Sequence, residues 1–259
     1  MRKEYLIEKE IYNKEKVKGG TKKWGFFWDS NLLNKISEQY NKKRDEWANI
    51  YLKDKKILIL GAARNNIDFC IKYTNDITAI DISERQIENI KAKYSHVQAM
   101  IGDITTYNYP EGYYDAVFCS AILHHVPKDL DELFDHLHYT LKDEGNIFVY
   151  CEPLRLNPLL VLGRRFFPSQ NHTPGEQPFL MRDFKKHYQK KYELIALQYC
   201  FFLTLFLGVF VKVTKINRIK FLTNTLYKIN SFFYKIDCLL AKTPVNNFFW
   251  LFAMVLKKK

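Results

Sequence analysis

The chain contains 259 residues, of which 47% are hydrophobic and 26% are charged. A chain of this length and balance can bury a large core, which excludes a disordered or low-complexity protein. Its net charge is +12, and residues 212–259 carry ten Lys or Arg side chains against one acid, Asp237. Such an excess indicates an anionic partner, such as a nucleic acid, a phosphorylated substrate or an acidic membrane surface.

The cysteines indicate a reducing compartment. The five of them form no C-x-x-C pair, and several lie in apolar runs: Cys70, Cys119, Cys151, Cys200 and Cys238. This pattern favours reduced, buried thiols over a disulfide framework or a zinc site, and we expect no metal. The opening MRKEYLIEKE lacks the apolar run of a secretory signal. We therefore expect a cytoplasmic protein, with peripheral contact to the cytoplasmic membrane face as an extension of that hypothesis.

Residues 1–54 predict an N-terminal helical cap. They are polar, aromatic and basic, and after Gly19-Gly20 apolar residues recur at helical spacing, which predicts one or two helices. Tyr12 and Trp24 are candidates to close over a ligand, although aromatic packing within the cap is the simpler interpretation.

Residues 55–153 predict the core. Five short apolar runs alternate with helical segments, which is typical of a parallel sheet with helices on both faces. The runs predict strands at 56–60, 77–81, 97–101, 115–119 and 146–151, and the helices between them include 66–73, one starting at Ser83, and 129–141.

Residues 154–259 predict two further regions. Residues 154–191 form an irregular, proline-rich insertion with helices near 159–166 and 182–190. Residues 192–259 supply strands at both ends and a basic amphipathic helix over 216–240 that complete the sheet. The stretch 194–211 has no charge, and we favour a long strand and a buried loop over a membrane-inserted segment.

Polar residues follow the predicted strands at their carboxyl ends. Gly61 follows the first strand and Asp81 ends the second, about 20 residues later, which suits an acid that accepts hydrogen bonds from a ribose diol. Asp103 follows the third strand and Ser120 the fourth. These residues suit an adenosine-containing ligand, with Asp103 meeting the adenine amine.

The segments ILILGAARN, TAIDIS, IGDI, YYDAVFCSAILHHVPKDL and LKDEGNIFVYCEP resemble, in order and spacing, the core of a class I S-adenosylmethionine-dependent methyltransferase. The resemblance implies a Rossmann-like, seven-stranded, mostly parallel sheet with an antiparallel last strand, and S-adenosyl-L-methionine as cofactor. The cofactor-binding residues that it implies are Gly61, Ala62, Ala63, Asp81, Ile82, Asp103, Ile104, Cys119 and Ser120.

The first loop departs from the family pattern of an acid followed by three spaced glycines. Here Ile59 replaces the acid, and Gly61 is the one glycine that remains. Ala63 is tolerable if its φ stays negative, and Asn65 accepts left-handed geometry better than most residues. A non-catalytic binding protein on the same fold is therefore an alternative, whereas a dehydrogenase is disfavoured because no G-x-G-x-x-G is present.

Two histidines are the candidate catalytic residues. If the methyl acceptor must lose a proton, a histidine beside the cofactor can take it. For His124 we favour a structural role, and for His125 the two roles are balanced. Glu152, after the fifth strand, either touches the acceptor or caps a neighbouring segment.

The basic, apolar end of the chain favours a small-molecule or lipid- or isoprenoid-linked acceptor. A basic amphipathic helix can lie in a membrane interface, so residues 199–259 are the candidate contact with a membrane. An RNA methyltransferase is the other alternative, but nucleic acid is not expected because no RNA-binding module is recognisable.

Overall fold

The computed structural model describes residues 2–14, 31–166, 175–214 and 220–259. Seven strands form one sheet in the order β3-β2-β1-β4-β5-β7-β6. They are β1 Ile57–Leu60, β2 Ile77–Asp81, β3 Gln98–Ile101, β4 Tyr114–Ser120, β5 Leu141–Pro153, β6 Tyr192–Cys200 and β7 Leu251–Lys258. Strands β1 to β5 are parallel, and β7 runs antiparallel to both β5 and β6. The predicted Rossmann-like sheet with an antiparallel last strand is confirmed.

Helices flank both faces of this sheet. In chain order they are α1 Lys3–Lys14, α2 Asn31–Tyr51, α3 Arg64–Cys70, α4 Glu84–Lys93, α5 Leu130–Thr140, α6 Pro158–Phe166, α7 Met181–Tyr188, α8 Leu203–Thr214 and α9 Lys220–Leu240. Two 3-10 turns, Leu123–His125 and Pro244–Phe248, complete the described elements.

Strand β1 divides the core. Its four residues are fully buried, as expected for a strand covered on both faces. Because side chains alternate along a strand, Leu58 and Leu60 join the apolar layer of α5 and α7, whereas Ile57 and Ile59 join that of α2, α3 and α4. The two layers hold the carboxyl ends of β1, β2 and β4 at one edge of the sheet.

The segment 199–211 differs from the prediction of a long strand and a buried loop. Strand β6 ends at Cys200, and α8 begins at Leu203. The carboxylate of Asp237 accepts hydrogen bonds from the backbone N–H groups of Phe202, Leu203 and Thr204, which satisfies the first donors of α8. A capping residue more than thirty positions away leaves no local signal, so the apolar run alone suggested a strand.

The other predicted elements lie within a few residues of their expected places. β5 begins at Leu141, earlier than predicted, and β7 begins at Leu251 because the preceding residues form a 3-10 turn. Cys238 is exposed, unlike the buried thiol that the sequence predicted. In the part of the chain that the structure describes, no helix combines the length and the apolar character needed to cross a bilayer.

Candidate active site

A cavity opens at the carboxyl ends of β1, β2 and β4. It encloses about 740 Å³ when its mouth toward solvent is included. Helix α1, the strand ends and the turn after β4 line it with Tyr5, Glu8, Tyr12, Gly61, Ala63, Asn66, Asp81, Ile82, Gln86, Gly102, Asp103, Ile104, Ser120, Ala121, Ile122, His125 and Val126. In an open α/β sheet this edge is where ligands bind.

The loop after β1 contains a single glycine, at a position where the backbone requires one. Gly61 has a φ of +79°, and a Cβ there would approach Ile122 Cδ1 to 3.2 Å, so both conformation and space favour glycine. Ala63 has a φ of −66° and precedes α3, which confirms that alanine is tolerated there. Asn65 lies inside α3 and is helical, so the left-handed geometry anticipated for it is wrong.

Asp81 ties this loop to the end of β2. Its Oδ2 accepts the Ala62 N–H at 2.8 Å, and its Oδ1 accepts the Ser83 N–H at 2.8 Å. Burial raises the pKa of Asp81 above its usual range, although the two N–H groups partly offset that effect. Each carboxylate oxygen has a second lone pair, so the group can still accept hydrogen bonds from a ligand.

Asp103 is a buried carboxylate in which one of the two oxygens accepts hydrogen bonds from the protein. Its Oδ1 accepts from the Thr105 N–H at 3.0 Å and from the Thr105 hydroxyl at 2.7 Å. Its Oδ2 is buried and has no hydrogen-bond partner among the described residues. Since buried polar atoms are almost always paired, this oxygen indicates a donor that arrives with a ligand.

Glu152 organises the turn after β4 from inside the core. It is fully buried, and it accepts hydrogen bonds from the N–H groups of Ile122, Leu123 and His124. His124 Nδ1 lies 2.8 Å from Glu152 Oε2. Burial alone raises the pKa of Glu152, yet His124 and the backbone donors stabilise the anion more strongly and hold the pKa below its usual range. Glu152 is thus the cap of this turn and the support of His124.

His125 faces the cavity between two carboxylates. Its Nδ1 lies 3.0 Å from Glu8 Oε1 and 3.7 Å from Glu176 Oε1, and the ring of Tyr12 stands edge-on to it. Burial lowers the pKa of His125, but the carboxylates of Glu8, Glu176 and Glu152 outweigh burial and raise it. The ring therefore holds a proton more readily than an ordinary histidine.

The fold matches solved structures. A SAM-dependent methyltransferase from Archaeoglobus fulgidus is 17% identical with a TM-score of 0.56, and the match covers 85% of this chain and 94% of that one. Geranyl diphosphate C-methyltransferase from Streptomyces coelicolor, solved with Mg²⁺, geranyl diphosphate and S-adenosyl-L-homocysteine, is 10% identical with a TM-score of 0.58, covering 100% and 99%. Phosphoethanolamine N-methyltransferase 2 from Haemonchus contortus, solved with S-adenosyl-L-methionine, is 13% identical with a TM-score of 0.58, covering 97% and 60%.

At these identities the structural matches show the fold alone, and no curated protein matches the chain. The sequence itself adds a second finding, because residues 60–149 match the methyltransferase domain family. The chain therefore contains a methyltransferase domain over residues 60–149, on a fold shared with S-adenosylmethionine-dependent methyltransferases. S-adenosyl-L-methionine is the cofactor that the sequence resemblance implies, and it is the ligand bound in the Haemonchus contortus structure.

The residues of this methyltransferase fit that cofactor. The unpartnered Oδ2 of Asp103 suits the adenine amine, and the carboxylate of Asp81 suits a ribose diol. Ile82 and Ile104 directly follow these two aspartates in the chain and line the cavity with apolar surface. The close approach of backbone at Gly61 leaves room that a side chain would fill.

The predicted site residues divide into two sets. Those that line the cavity are Gly61, Ala63, Asp81, Ile82, Asp103, Ile104, Ser120 and His125. Ala62, Cys119 and His124 do not line it: Ala62 donates its N–H to Asp81, Cys119 is fully buried in the core, and His124 is held by Glu152. Trp24 lies outside the described residues.

Helix α1 supplies cavity residues that the sequence analysis missed. Tyr5 and Glu8 line the cavity, as Tyr12 does. Arg2 and Tyr5 both bind the carboxylate of Asp129, which fastens α1 to the start of α5. These contacts join residues more than a hundred positions apart, so no local pattern reveals them.

Proposed function

We propose that this methyltransferase moves the methyl group of S-adenosyl-L-methionine to a small-molecule acceptor that enters the cavity beside His125. The observation that carries the proposal is that one cavity contains two chemically different groups of residues. Its lining includes Asp81 and the unpartnered oxygen of Asp103, which suit adenosine, and also His125 and Glu8, with Glu176 Oε1 3.7 Å from His125 Nδ1.

Each residue has a role in this proposal. The cofactor supplies a methyl group on a sulfonium, which is transferred by in-line displacement, so positioning supplies most of the catalysis. The loop at Gly61, with Asp81 and Asp103, holds the adenosine. His125 holds the acceptor and takes its proton if the acceptor must lose one. His124 acts behind His125 and is oriented by Glu152.

An apolar, lipid- or isoprenoid-linked acceptor is the finer form of this proposal. Large apolar side chains stand exposed on α8 and α9: Phe206 is 39% exposed, Phe210 53%, Phe232 61% and Leu239 65%. Together with the basic excess of residues 212–259, they support peripheral contact of residues 199–259 with an anionic membrane surface.

The acceptor class is tested by methyl transfer from labelled S-adenosyl-L-methionine into a cell extract that is then separated into lipid, small-molecule and RNA fractions. We expect label in the lipid or small-molecule fraction with the wild type, and none with Asp81→Ala. Label confined to RNA would contradict the proposed acceptor. Cofactor binding without transfer to any fraction would favour the non-catalytic alternative.

Membrane contact is tested separately by flotation with vesicles that contain anionic lipid. The wild type is expected to float with the vesicles, and Phe210→Ser/Phe232→Ser to float less. As a matched control, Tyr139→Ser removes an exposed aromatic on α5, at 50% exposure, and leaves flotation unchanged. Equal recovery of all forms in the unbound fraction would contradict the membrane contact and leave the methyltransferase proposal intact.

A further inference from the structure

The turn after β4 and the segment before α7 bring together three side chains that carry metal-binding atoms. His124, His125 and Glu176 each offer one such atom, and these atoms all lie within 4.8 Å of one another. The three side chains are largely buried, with exposures of 11%, 7% and 7%. Glu176 lies about fifty positions after the histidines, so the sequence has no spacing that would reveal the group.

His124 is oriented as a ligand is in a metal site. Its Nδ1 is engaged by the buried Glu152 carboxylate at 2.8 Å, which leaves Nε2 as the ring nitrogen with an available lone pair. A carboxylate behind the histidine is the usual support of metal-binding imidazole, because it fixes the tautomer and makes the other nitrogen more basic.

His125 provides the second, independent observation. Its Nδ1 is buried and makes no hydrogen bond within the described residues, because the ring does not aim its N–H at the Glu8 oxygen 3.0 Å away. The same nitrogen lies 3.7 Å from Glu176 Oε1. In tetrahedral coordination with bonds of about 2.0 Å, two ligand atoms lie about 3.3 Å apart, so this pair is near ligand spacing.

The charges around the group also favour a cation. Among the described residues, Glu8 and Glu152 form ion pairs only with histidine, and Glu176 adds a third carboxylate beside them. A divalent ion held by the two histidines and Glu176 adds positive charge beside these carboxylates.

We propose that His124, His125 and Glu176 form a binding site for a divalent transition metal, with Zn²⁺ as the preferred ion. Two nitrogen ligands and one carboxylate favour zinc over Mg²⁺ or Ca²⁺, which prefer oxygen. Three protein ligands leave a fourth position, and because His125 lines the cavity, that position is available to an oxygen or nitrogen of the methyl acceptor. With the ion bound, His125 would serve as a ligand in place of the proton acceptor, and the ion would lower the pKa of the acceptor group so that its proton is lost to solvent.

The site is tested on the full chain, with any purification tag removed, after chelation and dialysis. Zn²⁺ is titrated by calorimetry, and Co²⁺ is used as a spectroscopic probe whose visible absorption reports nitrogen and oxygen ligation. We expect one equivalent of Zn²⁺ with a Kd below about 1 µM. Glu176→Gln should raise that Kd more than about 100-fold. The matched controls Glu132→Gln and His96→Gln, both at exposed positions, should leave it unchanged.

Binding of S-adenosyl-L-methionine is measured on the same samples. Retained cofactor binding in Glu176→Gln shows that the variant is folded. Wild type that binds Zn²⁺ no better than Glu176→Gln overturns the metal site and leaves the proposed function standing. If the wild type binds Zn²⁺ but does not bind the cofactor, the metal site is supported and the proposed function is overturned.

Discussion

Asp103 and Asp237 are both buried carboxylates, but they differ in how many of their oxygens accept hydrogen bonds from the protein. In the C-terminal half, Asp237 Oδ1 accepts from Leu203 N–H, and its Oδ2 accepts from Tyr40 and Thr204 hydroxyls and from two further N–H groups. At the sheet edge, Asp103 Oδ2 accepts nothing from the described residues.

This difference distinguishes a carboxylate that stabilises the fold from one that is available to bind a ligand. A carboxylate whose oxygens are all engaged holds elements together, here α2, α8 and α9. A buried carboxylate with an oxygen to spare carries a desolvation cost that a ligand can offset. We therefore propose that Asp237 serves stability and that Asp103 serves cofactor binding, and variants at the two positions should show opposite effects.

The largest effect is expected from Asp237→Ala. Removing this carboxylate leaves three backbone donors at the start of α8 without their partner and takes one acceptor from the Tyr40 hydroxyl, so the free energy of unfolding should fall by about 3 kcal/mol. Urea denaturation followed by circular dichroism measures it. Cofactor affinity, measured below the transition, should change less than about twofold; a large loss of affinity would break the separation.

Asp103→Asn should have the reverse effect. The amide keeps an oxygen for Thr105 but replaces the spare oxygen with an N–H₂ group that cannot accept from the adenine amine. We expect about a tenfold weaker Kd for S-adenosyl-L-methionine, which corresponds to about 1.4 kcal/mol, with an unchanged denaturation midpoint. Unaltered affinity would remove Asp103 from the site.

A smaller loss of stability is expected from a change at Ser83, which caps a helix and also lies next to the proposed cofactor site. Its Oγ accepts the Gln86 N–H and so caps α4, and it donates to Asn13 at the end of α1. Ser83→Ala should cost about 1 kcal/mol of stability. Its backbone N–H still reaches Asp81, so cofactor affinity should change less than about threefold. A greater loss would indicate that the tether of α1 to α4 shapes the cavity.

The smallest effect concerns pH. Burial raises the pKa of Asp81, Glu8 adds to the rise, and His125 and the two N–H groups oppose it. In the proposed site the Asp81 anion accepts the ribose hydrogen bonds, so cofactor affinity should be complete above the raised pKa and should fall as pH decreases through it. We expect about a threefold loss between about pH 7 and about pH 5, and a flat profile for Asp81→Asn. Equal slopes for both proteins would contradict the assignment.

The two regions also differed in how far the sequence predicted them. Gly61, Asp81 and Asp103 each follow a short apolar run, and a parallel strand places its carboxyl end at the ligand edge, so local pattern was sufficient. Glu8 and Glu176 reach the cavity from segments distant in the chain, and nothing near them in sequence marks that contact. The same reason hid the cap of α8, since Asp237 lies on another helix.

The carboxyl edge of the sheet is the proposed cofactor site, and calorimetry with S-adenosyl-L-methionine tests this directly. Asp81→Ala removes both the proposed ribose acceptor and the hydrogen bond to the Ala62 N–H, and it should weaken cofactor binding about 100-fold relative to the wild type. The exposed control Glu132→Gln should bind as the wild type does. Absence of cofactor binding in the wild type, or equal affinity in Asp81→Ala, would contradict the assignment of this cavity.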